Sequence, residues 1–168
     1  MTQSAAASSL VMDFKQAMRG VAATTHVISL MVEGAPRGMT ATAVSSLSMD
    51  PPSLLVCMNE TVSMHGDMAA IDWFCVNVLT ASHAHVAKTF SDSRLRDVRF
   101  ETGDWSLEAE PAPYLADAQA ALFCRRADHH RFGTHSIFVG EVKAVRLCGA
   151  PEPLIYLDGR FCRVGRDA

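Results

Sequence analysis

The residues best suited to chemistry in this chain lie at 38–52, Gly-Met-Thr-Ala-Thr-Ala-Val-Ser-Ser-Leu-Ser-Met-Asp-Pro-Pro. Gly38 opens the segment, hydroxyls stand at Thr40, Thr42, Ser45 and Ser46, and few bulky side chains shield the backbone between them. Peptide N–H and C=O groups flanked by short hydroxyls can read the edge of a large planar ligand, as the few polar groups of mostly apolar pockets do. The plain alternative is a Thr/Ser-rich strand ended by a proline turn. Ser63 stands at the start of a short helical stretch, where exposed N–H groups and the helix dipole favour a phosphate. An ordinary N-cap serine would look the same. His135 begins an apolar strand after Gly133-Thr134, and is either aimed at a ligand or a strand-end histidine bonded to backbone.

Other chemistry finds less support. His83-x-His85 and His129-His130 lack cysteine or carboxylate partners at zinc-site spacing, so no metal is expected. Two histidines two positions apart on a helix face different ways, which makes His83 and His85 surface residues, and His129 and His130 read as loop. Cys57, Cys75 and Cys124 have no adjacent base to lower their pKa, which argues against a thiolate nucleophile. Neither Gly-x-Gly-x-x-Gly nor Gly-x-x-x-x-Gly-Lys-Ser/Thr is present, so no Rossmann fingerprint or P-loop is expected.

The elements that must position these groups are mostly strands. Residues 1–11 read as a disordered lead, and Asp13 as the cap of a short helix carrying Phe14 and Met18 that ends near Gly20. His26–Val32 is a β-branched and apolar run closed by a turn at Glu33-Gly34-Ala35-Pro36. Thr40–Ser48 and Leu54–Met58 read as strands around a fixed corner at Asp50-Pro51-Pro52, since proline has no backbone donor and restricts its predecessor. A short helix is expected from Ser63 to Ala70, a buried strand over Phe74–Leu79 and a second helix over Ser82–Phe90. Residues 91–114 form a long polar excursion of the kind that is usually functional or mobile. Late strands follow at Ala118–Arg126, His135–Leu147, and Leu154–Tyr156 running on to Phe161. Many strands with few helices, not alternating βαβ units, favour a mainly β antiparallel barrel with short peripheral helices.

The chain has 168 residues, fits one domain spanning 12–168, and needs no disulfide or metal staple to bury a core. Net charge is −3 with scattered arginines and no basic stripe, so no nucleic-acid partner is expected. Five cysteines without a Cys-x-x-Cys pair fit a reducing cytoplasm. The N-terminus lacks a signal-peptide pattern and no run reaches membrane-spanning length, so no membrane association is expected.

Taken in order, five stretches carry a family resemblance: Asn59-Glu60-Thr61-Val62-Ser63, Phe74–Leu79, Phe90, Gly133–Val142 and Pro153–Phe161. With 38–52 they resemble the short-chain flavin reductases on an FMN-binding split β-barrel of Greek-key form. These are the reductase components of two-component flavin monooxygenases such as 4-hydroxyphenylacetate hydroxylase. The resemblance runs from about Phe14 to Val164. It implies non-covalent FMN or FAD held by Arg37, Gly38, Met39, Thr40, Ala41, Thr42, Ala43, Val44, Ser45 and Ser46 together with Cys57 and Asn59. Ser63 would sit at the flavin phosphate, and Thr89 and Phe90 would close over the phosphate or ribityl end; from sequence alone Phe90 is a core residue. His135 would stand near the nicotinamide as the catalytic residue, although Thr134 departs from the family's Gly-Asp-His form. Arg160 matches a position lining the nicotinamide groove, and the neighbouring Asp158 disfavours a 2′-phosphate, hence NADH over NADPH. The resemblance also implies a cytoplasmic homodimer that passes free reduced flavin to a partner monooxygenase. Two rivals keep the fold: a flavin-storing or flavin-sensing protein without turnover, and a dimer that has lost its ligand. A third, an oxidase of a phosphorylated pyridoxal precursor, needs a basic cluster where only Arg37 and Arg160 are evident.

Overall fold

The computed structural model describes residues 2–108 and 111–165. Positions 109 and 110 of the excursion, and Met1 and 166–168 at the ends of the expected lead and domain, lie outside the described residues. Helix α1 runs Thr2–Arg19, so the chain is helical well before Asp13. Expecting irregular chain at 1–11 relied on apolar periodicity. Helix propensity acts instead, through Ala5-Ala6-Ala7 and the absence of Gly or Pro before Gly20. Gly20 and Val21 end α1 by donating to the carbonyls of Ala17 and Met18.

Twelve strands follow among the described residues. Strands β1 (Ala23–Thr24), β11 (Leu154–Leu157) and β12 (Arg160–Arg163) make a small sheet. Seven make the main one: β2 (His26–Val32), β3 (Ala35–Ala41), β4 (Val44–Met49), β5 (Pro52–Asn59), β6 (Trp73–Val78), β9 (Ala120–Phe132) and β10 (His135–Leu147). Between them lie α2 (Met64–Ala70), a 3₁₀ turn at Ala81–His83, α3 (Ala84–Ser91) and a 3₁₀ stretch at Ser93–Glu101. A two-stranded patch, β7 (Trp105–Ser106) with β8 (Tyr114–Leu115), completes the excursion.

The main sheet is antiparallel in the order β3-β2-β6-β9-β10-β5-β4. Its edge strands, β3 and β4, are consecutive in the chain and separated only by Thr42-Ala43, with no ladder between them. The sheet therefore curls into a barrel split along that seam. The expected single strand 40–48 is two strands for this reason. β3 starts early because Glu33 and Gly34 adopt φ of 50° and 78° and fold it tightly onto β2. Pro36 is tolerated because β3 is an edge.

Alternation sorts the side chains. Ile28, Leu30, Val56, Met58, Phe74, Val76 and Phe138 fill the barrel, capped by Met64 and Met68 of α2. Val27 and Leu79 face outward under α3, against Val86, Ala87 and Phe90, with Phe100 and Trp105 laid over them. Buried Asn77 ties the excursion to this surface. Its amide donates to Val27 O and Ser29 Oγ, its carbonyl accepts Leu115 N–H, and Ser29 Oγ donates to Pro113 O at 2.6 Å. β9 runs six residues beyond Arg126, the end expected for it, because β10 pairs with it; the residues there are exposed and show no apolar pattern.

Candidate functional site

Strand β3 is the axis of the site. Met39 and Ala41 turn into the barrel core, whereas Gly38, Thr40 and Thr42 face α3 and the excursion. A Cβ on Gly38 would come within 2.7 Å of the Phe90 ring and 3.1 Å of Phe100, so the glycine lets these rings lie on the strand. Phe90 is almost fully buried and packs edge-to-face on Phe100 and tilted against Trp105, with ring centroids 5.1 and 5.0 Å away. It is a packing residue with no face left for a ligand. Thr40 Oγ1 donates to Ala87 O at 2.7 Å, leaving its lone pairs available as acceptors.

A basket of about 320 Å³ opens beside Gly38, lined by Arg37, Ser63, Arg96 and Arg99 with Asp67 and Asp97. Ser63 has helical backbone angles and its hydroxyl makes no capping bond, so the expected N-cap role is absent and the side chain faces the basket. Arg99 is fixed by the chain itself: one Nη donates to Gly38 O at 2.7 Å and the other to Asp92 O at 2.9 Å. Its buried Nε has no partner among the described residues. Burial lowers its pKa, which adds to the demand for a nearby anion. Three arginines against two carboxylates leave the basket net positive. Arg96 and Arg99 were missed in the sequence because the excursion offers no motif; its charge pattern was the signal available.

Along the same face of β3, Thr40 and Thr42 join Ser91, Tyr156, Gly159 and Phe161 around a hollow of about 350 Å³. Thr42, Tyr156 and Gly159 also line a larger cleft, about 650 Å³, whose far wall is α1. Basket, hollow and cleft thus lie in sequence along β3 and the Thr42-Ala43 linker that follows it. The β11–β12 connection beside them is a tight turn with Asp158 and Gly159 at φ of 47° and 80°, in place of the continuous strand expected.

Other expected residues lie elsewhere. Val44, Ser45 and Ser46 line an apolar cavity at the barrel mouth with His26, whose pKa burial pushes down to about 4. Cys57 and Asn59 sit on β5 directly opposite Ile137 and His135 of β10. Asn59 Oδ1 accepts from Thr61 N and Oγ1, shaping the turn toward Ser63. His135 is exposed, with Nδ1 2.9 Å from Thr134 Oγ1. Thr89 is half-buried on α3. Arg160 is exposed at the head of β12 and lines neither hollow nor cleft.

Two histidine readings are corrected. His83 is buried, not a surface residue: its Nδ1 accepts from Thr80 N–H, so Nε2 carries the proton and lies 3.1 Å from Asp117. His129 and His130 belong to β9, not to a loop, and His129 stacks on Phe138 at 5.5 Å. Burial pushes the Cys124 thiol up to about 12 and raises that of Cys75, so neither is a thiolate near neutral pH.

Comparison with known proteins matches residues 18–165 to the domain family described as flavin reductase like domain. The reductase component of the FADH₂-dependent resorcinol hydroxylase of a Rhizobium species is 38% identical over 152 residues, covering 89% of this chain and 85% of that protein. An FMN reductase (NADH) of Variovorax paradoxus is 36% identical, covering 89% of this chain and 83% of its own. Among solved structures, an NADH:FAD oxidoreductase of Streptomyces globisporus, in complex with NAD and FAD fragments, superposes with a TM-score of 0.86. It is 33% identical, and 94% of each chain is covered.

Proposed function

The chain belongs to the flavin reductase like domain family, and on that premise we propose that it transfers hydride from NADH to FMN or FAD and supplies reduced flavin to a partner monooxygenase. The carrying observation is the basket of Ser63 with Arg37, Arg96 and Arg99 at one end of a hydroxyl-lined strand. The basket suits a flavin phosphate: it is net positive, its serine hydroxyl is uncommitted, and Arg99 Nε needs an acceptor. Thr40, Thr42 and the short residues at the seam suit the polar edge of the ring. When bound, the flavin supplies the hydride acceptor, and the protein's work is to bind, orient and exclude water. The bound flavin is non-covalent in this reading.

NADH as donor accords with the names of the relatives. Asp158 supports that choice less than its sequence position implied, because Arg19 Nε donates to its carboxylate at 2.7 Å and offsets its charge. A cytoplasmic homodimer is part of the proposal. Met49 on β4, Phe132 at the β9–β10 tip and Leu147 are each more than 80% exposed, a surface that a second copy can cover. The same hairpin carries His135.

The deciding experiment follows NADH absorbance with and without FMN, FAD and riboflavin. Flavin-dependent consumption is expected. Tight flavin binding without NADH consumption would reassign the protein as a flavin carrier.

A further inference from the structure

The groove has two ends, and the flavin phosphate accounts for only one of them. Gly38 lies on β3 and Thr42 is the residue just past its end, about 13 Å away if the chain stays extended. A flavin anchored in the basket would reach with its ring toward Thr42, at the entrance to the large cleft. Across that cleft stands α1, presenting Phe14, Lys15, Met18 and Arg19. The helix is clasped to the β11–β12 turn at two points. Arg19 Nε donates to Asp158 Oδ1 at 2.7 Å, and Asp158 N–H donates to the Arg19 carbonyl at 3.0 Å. Arg19 is thus neutralised by its partner. Lys15 precedes Arg19 by four residues, on the same helix face, and makes no ion pair among the described residues. The cleft consequently carries one uncompensated cation beside the apolar surface of Phe14 and Met18.

We propose that Lys15 binds the diphosphate of an adenine dinucleotide in this cleft, that the dinucleotide is the hydride donor, and that the Arg19–Asp158 clasp is a positioning device holding α1 in place. The assignment rests on the flavin reductase reading. Hydride transfer needs the two rings face to face near Thr42, so their anionic tails leave in different directions and each needs its own cationic end. The basket serves one tail and Lys15 the other. FAD also carries a diphosphate, so the same chemistry has a second source that the test must separate. Arg160, the arginine that the sequence nominates for the nicotinamide groove, is outside the cleft lining.

The test begins with ADP-ribose, which has the diphosphate and adenosine without the reactive ring. Its Kd is measured by calorimetry on the wild type, Lys15→Ala and Lys15→Arg. Loss of one charge-assisted contact is expected to weaken binding about tenfold in Lys15→Ala, with Lys15→Arg restoring most of it. The KM for NADH should rise by a similar factor at unchanged kcat, relative to the KM for a phosphate-free benzyl-dihydronicotinamide donor. Asp158→Asn should raise the NADH KM without lowering kcat at saturation, as a positioning role requires. An unchanged ADP-ribose Kd in Lys15→Ala overturns the proposal. A loss seen only in the ratio of FAD to FMN affinity overturns the assignment to the hydride donor. If the wild type binds ADP-ribose through Lys15 but consumes no NADH with any flavin, the reductase reading fails while the diphosphate site stands.

Discussion

At the scale of single residues, the site divides into groups already committed to the fold and groups left free for a ligand. Arg99 belongs to both, with two nitrogens spent on Gly38 and Asp92 carbonyls and one unspent. Arg96 and Ser63 make no side-chain hydrogen bond or ion pair among the described residues. Ser63→Ala and Arg96→Ala should each raise the Kd for FMN several-fold to about tenfold while leaving riboflavin, which has no phosphate, almost unchanged; fluorescence quenching measures both. Equal losses for the two flavins would move the phosphate elsewhere. His135→Ala should raise the NADH KM or slow hydride transfer without altering flavin affinity, and wild-type stopped-flow kinetics would leave the residue a strand-end histidine. His26 supplies a pH dependence. Its folded pKa of about 4 lies below the ordinary imidazole value of about 6.5, because burial disfavours the cation. The unfolded chain therefore takes up a proton first as pH falls. Stability should be constant above about pH 6.5, fall between 6.5 and 4, and level off below, a loss of about 3 kcal/mol from this group. Urea unfolding of His26→Val should show a flatter profile across that window, and an unchanged slope would exclude His26 as its origin.

Elements were legible where one force set them. β2 and β10 have the bounds that alternation and apolar runs gave, and β6 differs by a residue at each end. Misreadings occurred where a second force intervened. Propensity built α1, exposed throughout residues 9–19, a left-handed turn started β3 early, and partner pairing extended β9 through charged residues. The site followed the same rule. Gly38, Thr40 and Thr42 were visible because one strand carries them, whereas Arg96, Arg99 and Lys15 arrive from elements distant in sequence. Asn77 and Ser29 hold Leu115 and Pro113, at the far end of the excursion that carries the first two. Asn77→Ala leaves Leu115 N–H buried without its acceptor and removes the donor to Val27 O and Ser29 Oγ, and should destabilise the fold by about 2–3 kcal/mol. Hydrogen exchange should show lost protection concentrated at 93–115. Uniform loss across the sheet would mean that Asn77 supports the barrel alone.

At the scale of the molecule, the monomer exposes more apolar surface than its barrel requires, at α1, β4 and the β9–β10 tip. Phe132→Ser should shift sedimentation toward a monomer and lower turnover with NADH, if His135 acts across the interface. A monomer with full activity would separate oligomerisation from catalysis.

The seam between β3 and β4 has a mechanical consequence. A tube laced by hydrogen bonds around its whole circumference can widen only by breaking rungs; one left unlaced between the β3 and β4 edges, joined only through Thr42-Ala43, can gape along those edges at no such cost. A ligand lying across the gap acts as a removable stitch. Loaded protein should resist proteases and heat better than empty protein, by an amount set by free flavin concentration. Handing the flavin on leaves the chain in its laxer form, so in a cell the lifetime of the protein would itself record how well it is supplied.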